Sequence, residues 1–528
     1  MNTAPSSTQP NSSDQRSSIL LALVTVAAAG FTMSCGGGNT TQKFSGNTNV
    51  TLIASVAAND QLTFFGMQIQ SLTLTNQDGG TVNLLPGQPS EEFVHLNGGI
   101  EPLAAITVPQ GIYTSATATV GTAEFTCVVL TPGGGLDIST FAYGQTPVAN
   151  VSVNLASPLS ITGSSMALSL NLQASQSASY SSCYVANGIA TFAITPTFTL
   201  SPATLSAQAT NASNGKAMGI DGQVSSINAG ANSFVLTFPI EEATRTVNVV
   251  AGAGTVFQGI NSFAGLTVGT LVTMDGVVQT DGSLSATRIA VEDPGATSVE
   301  TGPVLFVSNA IPEFEMTVQQ EQGILLAGGG APFSDGNATF QISGQFTNLN
   351  SLPFTPMFNA ADMVAGQDVY ISTTATTTSP APVYTPASTV TLMPQTIDGT
   401  ISGTSTVGSF SVYTVSLASY DLISALAVQA GQTTLLNNPS EVEVYVDGST
   451  QMLSSQAPAA GGTFRFYGLV FNDHGTLRMD CAQVNDGVSV TPAAMAAMKG
   501  AVTGRVKVIS ASTAGPSRQT SFRITPAK

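Results

Sequence analysis

One stretch of this chain, Gly219 to Asp293, recurs further along it, and that recurrence limits the fold more than any other feature. It opens Gly219-Ile220-Asp221-Gly222-Gln223-Val224 and closes Leu271-Val272-Thr273-Met274-Asp275-Gly276-Val277, then Asp281-Gly282-Ser283-Leu284-Ser285-Ala286-Thr287-Arg288-Ile289. The opening returns as Ile397-Asp398-Gly399-Thr400-Ile401. The closing returns as Phe464-Arg465-Phe466-Tyr467-Gly468-Leu469-Val470, then His474-Gly475-Thr476-Leu477-Arg478-Met479. A fainter copy runs from Gly302-Pro303-Val304-Leu305 to Gln367-Asp368-Val369-Tyr370-Ile371. Repetition at this spacing specifies an array of similar modules, each burying one face. Within each copy apolar residues alternate with polar ones and are bounded by Gly, Asn and Asp, which is strand and turn chemistry. Gly222, Gly302 and Gly399 are expected at equivalent places, as are Gly276 and Gly468.

Composition supports an all-β chain. Charged residues make up only 8% of it, with Ser and Thr supplying the polarity, while the 42% hydrophobic content is too high for disorder. The net charge of −17 is unevenly placed. Lys499, Arg505, Lys507, Arg518, Arg523 and Lys528 lie in 489–528 without an acidic residue, leaving seven basic against 30 acidic residues elsewhere. An acidic body is repelled by phosphate backbones, so nucleic acid is excluded as the expected partner.

The N-terminus carries a different signal. Arg16 precedes an apolar run from Ile19 to Phe31, followed by Thr32-Met33-Ser34-Cys35-Gly36-Gly37-Gly38. This run of thirteen residues rises about 20 Å as a helix, short of the roughly 30 Å hydrocarbon core, so it reads as an export signal rather than a span. The stretch resembles bacterial lipoprotein signals, whose final Cys becomes the lipidated first residue, although Thr32 stands where that family usually has Leu. The resemblance implies lipidation of Cys35, membrane attachment through a lipid anchor, and an outer-membrane or periplasm-facing location. Ordinary cleavage and an uncleaved tether are the alternatives. The glycines and polar residues after Cys35 suit a flexible leash.

Residues 49–210 read as a first β domain, with a turn at Pro109-Gln110-Gly111-Ile112-Tyr113 and a late Leu168-Ser169-Leu170-Asn171-Leu172 strand. This order resembles a sandwich-like domain of unknown function in bacterial lipoproteins. The Gly-x-Val opening and Asp-Gly-x-Leu-x-Ala-x-x-Ile ending of the repeat resemble an uncharacterised small β-barrel family, OB-like in outline. The expected plan is therefore a signal at 1–35, a tether at 36–48, and a β-sandwich-like domain at 49–210. Three small β-barrel (OB-like) repeats follow at 218–293, 299–394 and 395–488, then a basic tail at 489–528 with a short helix and a C-terminal hairpin. Neither resemblance implies an activity.

Candidate chemistry is sparse. There are two histidines, His95 and His474, and no Gly-x-Ser-x-Gly, HExxH or phosphate-loop pattern. Glu91, Glu92 and His95 form the one cluster that a hydrolytic or carbohydrate-binding site could use, yet His95 lacks a second His at metal-ligand spacing. The pairs Glu241-Glu242, Glu313/Glu315 and Glu441/Glu443 read as solvated strand charges. Eight Asp-Gly pairs read as turn chemistry rather than calcium loops, because no Asp-x-Asp-x-Asp-Gly run occurs; Asp281-Gly282 reads as a hairpin turn, and Asp275-Gly276, inside a strongly apolar run, as a bulge or tight bend. Cys127 and Cys183 share the first domain and are expected to form a disulfide in an oxidising compartment. Cys481 is expected to be a small buried thiol at the position of Arg288 in the first repeat. No cofactor and no metal is expected. The expected role is non-catalytic binding, spacing or scaffolding in the cell envelope, with an envelope protein or polysaccharide as partner.

Overall fold

The computed structural model describes residues 44–57, 62–96, 99–130, 136–143, 149–177, 184–186, 189–193, 196–238, 245–307, 314–323, 331–333, 338–344, 349–374, 384–418, 421–429, 435–487 and 503–507. Cys35, Cys183 and the side chain of Cys127 lie outside the described residues, as do the helix expected at 492–498 and the strand expected at 521–525. No described helix is long and apolar enough to cross a membrane.

The first region contains β1 (Asn47–Ala57), β2 (Leu62–Asn76), β3 (Thr81–Asn83), β4 (Ser90–Glu92), β5 (Glu101–Pro109), β6 (Gly111–Leu130) and β7 (Leu136–Tyr143). It continues with β8 (Ala149–Asn154), β9 (Leu159–Ile161), β10 (Ser165–Gln173), the one-turn α1 (Ala174–Ser177), β11 (Tyr184–Ala186), β12 (Ile189–Ala193) and β13 (Phe198–Ala203). The strand path is β3-β2-β6-β8-β13-β10-β1-β5, with β4 beside β2 and with β7 and β9 beside β6. Alternation drives it: Leu168, Leu170 and Leu172 of β10 enter the core, and Ala167, Ser169 and Asn171 take the other face. Phe65 and Ile69 near one end of the path share that core with Val50 and Leu52 near the other. The two layers expected of a sandwich are thus one continuous sheet curled over a single core. The tight Pro109–Gly111 turn is locked by the Tyr113 hydroxyl, which donates to the Pro109 carbonyl at 2.8 Å.

The first repeat closes on itself. Its strands β14 (Lys216–Asn228), β15 (Ser233–Thr237), β16 (Thr246–Gln258), β17 (Leu271–Val278) and β18 (Leu284–Ala290) form a barrel in the order β14-β15-β16-β18-β17. β16 and β18 run parallel, and the other neighbours are antiparallel. Closure leaves no strand edge to template association. Phe234, Leu236, Val249, Met274, Leu284 and Ile289 fill the interior.

The middle copy holds β19 (Ser298–Val307), β20 (Phe314–Met316), β21 (Gln320–Gly323), β22 (Ala331–Phe333), β23 (Thr339–Ile342), β24 (Asp368–Thr373), β25 (Tyr384–Pro386) and β26 (Thr389–Leu392). Its order β20-β19-β24-β26-β23, with β23 parallel to β26, follows the barrel's plan. Among the described residues the ring stays open between β20 and β23. The last copy has β27 (Gln395–Val407), β28 (Phe410–Leu417), β29 (Glu441–Val446), β30 (Gln451–Met452), β31 (Thr463–Asp473) and β32 (Thr476–Asp486). β27-β28-β29-β32-β31 closes as a second ring, with β29 and β32 parallel as β16 and β18 are in the first. Helix α2 (Leu422–Gln429) lies in its longer connection between β28 and β29.

Strand register tests the expected equivalences. A Cβ on Gly222, Gly302 or Gly399 would come within 3.0 Å of a carbonyl oxygen, on Thr237, Thr317 and Ser416 respectively. Each glycine therefore lets its neighbouring strand approach. Gly276 and Gly468 each sit at a register shift in the hairpin that closes a barrel, as the bulge reading requires. The same register corrects one position: Gly468 faces Cys481 as Gly276 faces Ala286, so Cys481 matches Ala286, and Gln483 matches Arg288. Cys481 is buried, and burial pushes its thiol well above the ordinary range. Gly399→Ala is expected to lower stability by about 2 kcal/mol, because its Cβ would meet the Ser416 oxygen at 2.5 Å. Gly403→Ala on the same strand, where the Cβ meets ordinary contacts at 3.4 Å, serves as the control in urea denaturation.

The tail contributes a pairing that the sequence reading does not include. β33 (Thr503–Lys507) pairs antiparallel with β12 of the first region, so this basic strand joins a sheet formed with residues far earlier in the chain. The described residues form one compact unit. Ile53, Ala167 and Ile100 of the first region enter the first barrel's core, Leu271 packs with Val299 and Tyr370, and Phe410 and Phe471 join the middle module's cluster.

Candidate functional site

Glu91 and Glu92 end β4, where adjacent residues point to opposite faces. Glu92 turns toward the backbone. Its Oε1 accepts from the amides of Phe65 at 2.7 Å and Val94 at 3.0 Å, and its Oε2 from the His95 amide at 2.8 Å. These bonds hold the single 3-10 turn Val94–Leu96 that presents the His95 ring. His95 then bridges two carboxylates: Nδ1 lies 3.2 Å from Glu92 and Nε2 3.0 Å from Glu101.

Glu91 turns the other way, to Arg245, which stands just before β16 of the first barrel. The guanidinium donates to Glu91 Oε2 at 2.6 Å and to Glu101, and it lies 3.9 Å from the centre of the Phe238 ring. Glu91, Glu92 and Glu101 are each no more than 2% exposed, and Arg245 is 8% exposed. Burial pushes the Glu101 carboxyl up, but His95 and Arg245 outweigh it and hold that carboxyl below the usual range. The three residues nominated by the sequence therefore do converge, and two further ones, Glu101 and Arg245, complete the group.

Ligand atoms of Glu91, His95 and Glu101 lie within 4.8 Å of one another, a spacing a metal ion would accept. Arg245 already reaches two of those three groups, so the positive charge the carboxylates require is supplied by the chain itself. General acid–base work needs a titrating group within reach of a substrate. Here both ring nitrogens of His95 are engaged by carboxylates.

Beside His95 lies a cavity of about 100 Å³ lined by residues of every module, among them Asp221, Gln320, Asp368, Asp421 and Tyr467. Asp221, 4% exposed, accepts a hydrogen bond from the Thr273 hydroxyl. Burial pushes its pKa up to about 7, against the partial relief given by Thr273 and His95. Tyr370, also buried, bonds to Thr273 and titrates well above the ordinary phenol, chiefly through burial.

Asp221 corrects a sequence expectation. Asp221-Gly222, Asp275-Gly276 and Asp398-Gly399 lie inside strands with their carboxyls buried, whereas Asp78-Gly79, Asp281-Gly282 and Asp447-Gly448 lie at turns. The signal was present in the flanks, since Ile220 and Ile397 precede the buried pairs and their glycines carry the close strand approach. Asp275 is held by Arg288 at 2.8 Å and by the Gly219 amide at 2.9 Å.

The remaining candidates are dispersed. His474 sits in the β31–β32 turn with φ +52° and a side chain 84% exposed. Glu443 accepts from Tyr445 at 2.9 Å and pairs with Arg478 at 3.2 Å. Glu241, Glu242, Glu313 and the side chain of Glu315 lie outside the described residues.

Among known families, residues 221–290 match the model described as Domain of unknown function (DUF5666). That match covers the first barrel from the second residue of its Ile-Asp-Gly opening to the end of β18. No curated protein matches the chain.

Proposed function

We propose that this chain is a lipid-anchored protein of the bacterial cell envelope, whose β modules form one body that binds or spaces partners without catalysing a reaction. The observation that supports it most is the inward use of its chemistry-bearing side chains. Glu91, Glu101, Glu92 and His95 are engaged with Arg245, with backbone amides and with one another. Groups so engaged join the first sheet to the first barrel rather than face a substrate. The alternative, hydrolysis or carbohydrate binding at Glu91, Glu92 and His95, would need that network to open.

Anchoring rests on Cys35 and the polar, glycine-rich leash behind it. Cys35→Ser is expected to move the chain from the membrane to the soluble fraction and to abolish labelling by a fatty-acid probe. Membrane fractionation unchanged by the substitution, with no label in the natural chain, would defeat the anchor. One acyl chain gives only marginal membrane binding, so a full shift is expected only if the Cys carries more than one.

A further inference from the structure

A second cavity, of about 540 Å³, opens between the first sheet and the last barrel. That volume lies within the roughly 300–1,000 Å³ of small-molecule sites. One wall is the outer face of β1 and β10. On that face Ile53 and Ala167 pack into the first barrel's core, but further along, Ser55, Ser169 and Asn171 line the cavity. Ser55 Oγ lies 3.1 Å from Ser169 Oγ and accepts from Asn171 Nδ2 at 2.8 Å. The face changes from apolar to hydroxyl and amide where the barrel contact ends.

The opposite wall is the outside of the last barrel. Thr396, Tyr467 and Gln483 stand in one row across β27, β31 and β32, and Arg465 and Asn485 pair in another. Phe464, Phe466 and Val484 alternate with them and fill the barrel core, which turns this polar set outward. In the first barrel the places of Tyr467 and Gln483 belong to Asp275 and Arg288, which close on each other as an ion pair at 2.8 Å, and that of Asn485 to Ala290. The last barrel has an uncharged phenol and two amides at those places.

Hydroxyls and amides both donate and accept, as the hydroxyls of a sugar do, and a phenol ring offers an apolar face to a pyranose. The two charged residues of the lining, Arg465 and Asp486, are of opposite sign and select for no ion. The buried Thr396 hydroxyl has no hydrogen-bond partner among the described residues. Thr396 and Tyr467 line both this cavity and the smaller one beside Asp221.

We propose that this cavity is a binding site for a short uncharged glycan, with Tyr467 as the surface under a sugar ring and Asn171, Gln483 and Asn485 as its hydrogen-bonding partners. The site is independent of lipid anchoring. Calorimetric titration of the whole chain with maltose, cellobiose and N,N′-diacetylchitobiose tests it, with inorganic phosphate and spermidine as charged probes. At least one disaccharide is expected to bind. Asn485→Leu and Gln483→Leu are each expected to weaken it by roughly tenfold, the size of one lost hydrogen bond with its partner left unpaired. Asn171→Ala, on the opposite wall, reports the same loss should a barrel variant fail to fold. The proposal is overturned if none of the three disaccharides binds, if only a charged probe binds, or if affinity is unchanged in every variant that folds.

Discussion

Replacing Arg245 by methionine is expected to destabilise the joint between the first sheet and the first barrel by about 3–5 kcal/mol. Methionine retains much of the volume over Phe238 but removes the cation from two buried carboxylates, Glu91 and Glu101, which are 1% and 2% exposed. A buried pair is weak evidence for net stability, yet breaking one by removing a single partner leaves a charge that water cannot reach. The pH dependence follows from the low pKa of Glu101. Its ionised form is favoured in the folded chain, so its stabilisation is present above the unfolded carboxylate pKa and lost as pH falls through the folded value. In the variant His95 still favours the ionised Glu101, but the share that Arg245 supplied is gone, and protonation of Glu91 and Glu101 at low pH should relieve part of the damage. Adding Glu91→Gln and Glu101→Gln to the variant should restore stability in the same way at neutral pH. The urea midpoint checks this, and a loss below about 1 kcal/mol would show that the network does not join the modules.

Asp221→Asn should have an effect of similar size and opposite sign. The ordinary Asp value is 3.8, and burial raises that of Asp221 to about 7. The folded chain therefore keeps a proton that the unfolded chain releases between those values. Stability contributed by this group is full below about pH 4, falls as pH rises toward about 7, and is flat beyond. The total change is on the order of 4 kcal/mol. Asparagine stays neutral throughout and still offers an oxygen to the Thr273 hydroxyl. The variant should match the natural chain near pH 4 and exceed it near pH 8, by an amount approaching that total. His95, Glu101 and Glu292 act on Asp221 electrostatically, so the difference between the two melting profiles reports that carboxyl together with its coupling to them. A difference that does not change with pH across that window would refute the buried-acid reading.

The sequence by itself determined the all-β class, the recurrence of a module and its critical glycines, because these depend on local chemistry. Alternation assigns inside and outside along β10, and Gly276 and Gly468 mark bulges because only glycine tolerates the strand approach. The closing of Lys216–Ala290 into a ring follows from one short segment's own pattern. Tertiary structure alone decided what happens between modules. No spacing rule places Arg245 against Glu91 and Glu101 across well over a hundred residues, although an arginine in so charge-poor a chain is itself a signal. Asp-Gly reads locally as a turn, and only the pairing of β14 with β17 and of β27 with β31 places Asp221 and Asp398 inside strands, where both are buried. The pairing of Thr503–Lys507 with Ile189–Ala193 was equally invisible, since a strand's sequence specifies its faces but not which distant edge it will meet. Local patterns fix which side of each element is apolar; burial, ion pairing and shared cavities arise from long-range contacts that only the packed chain creates.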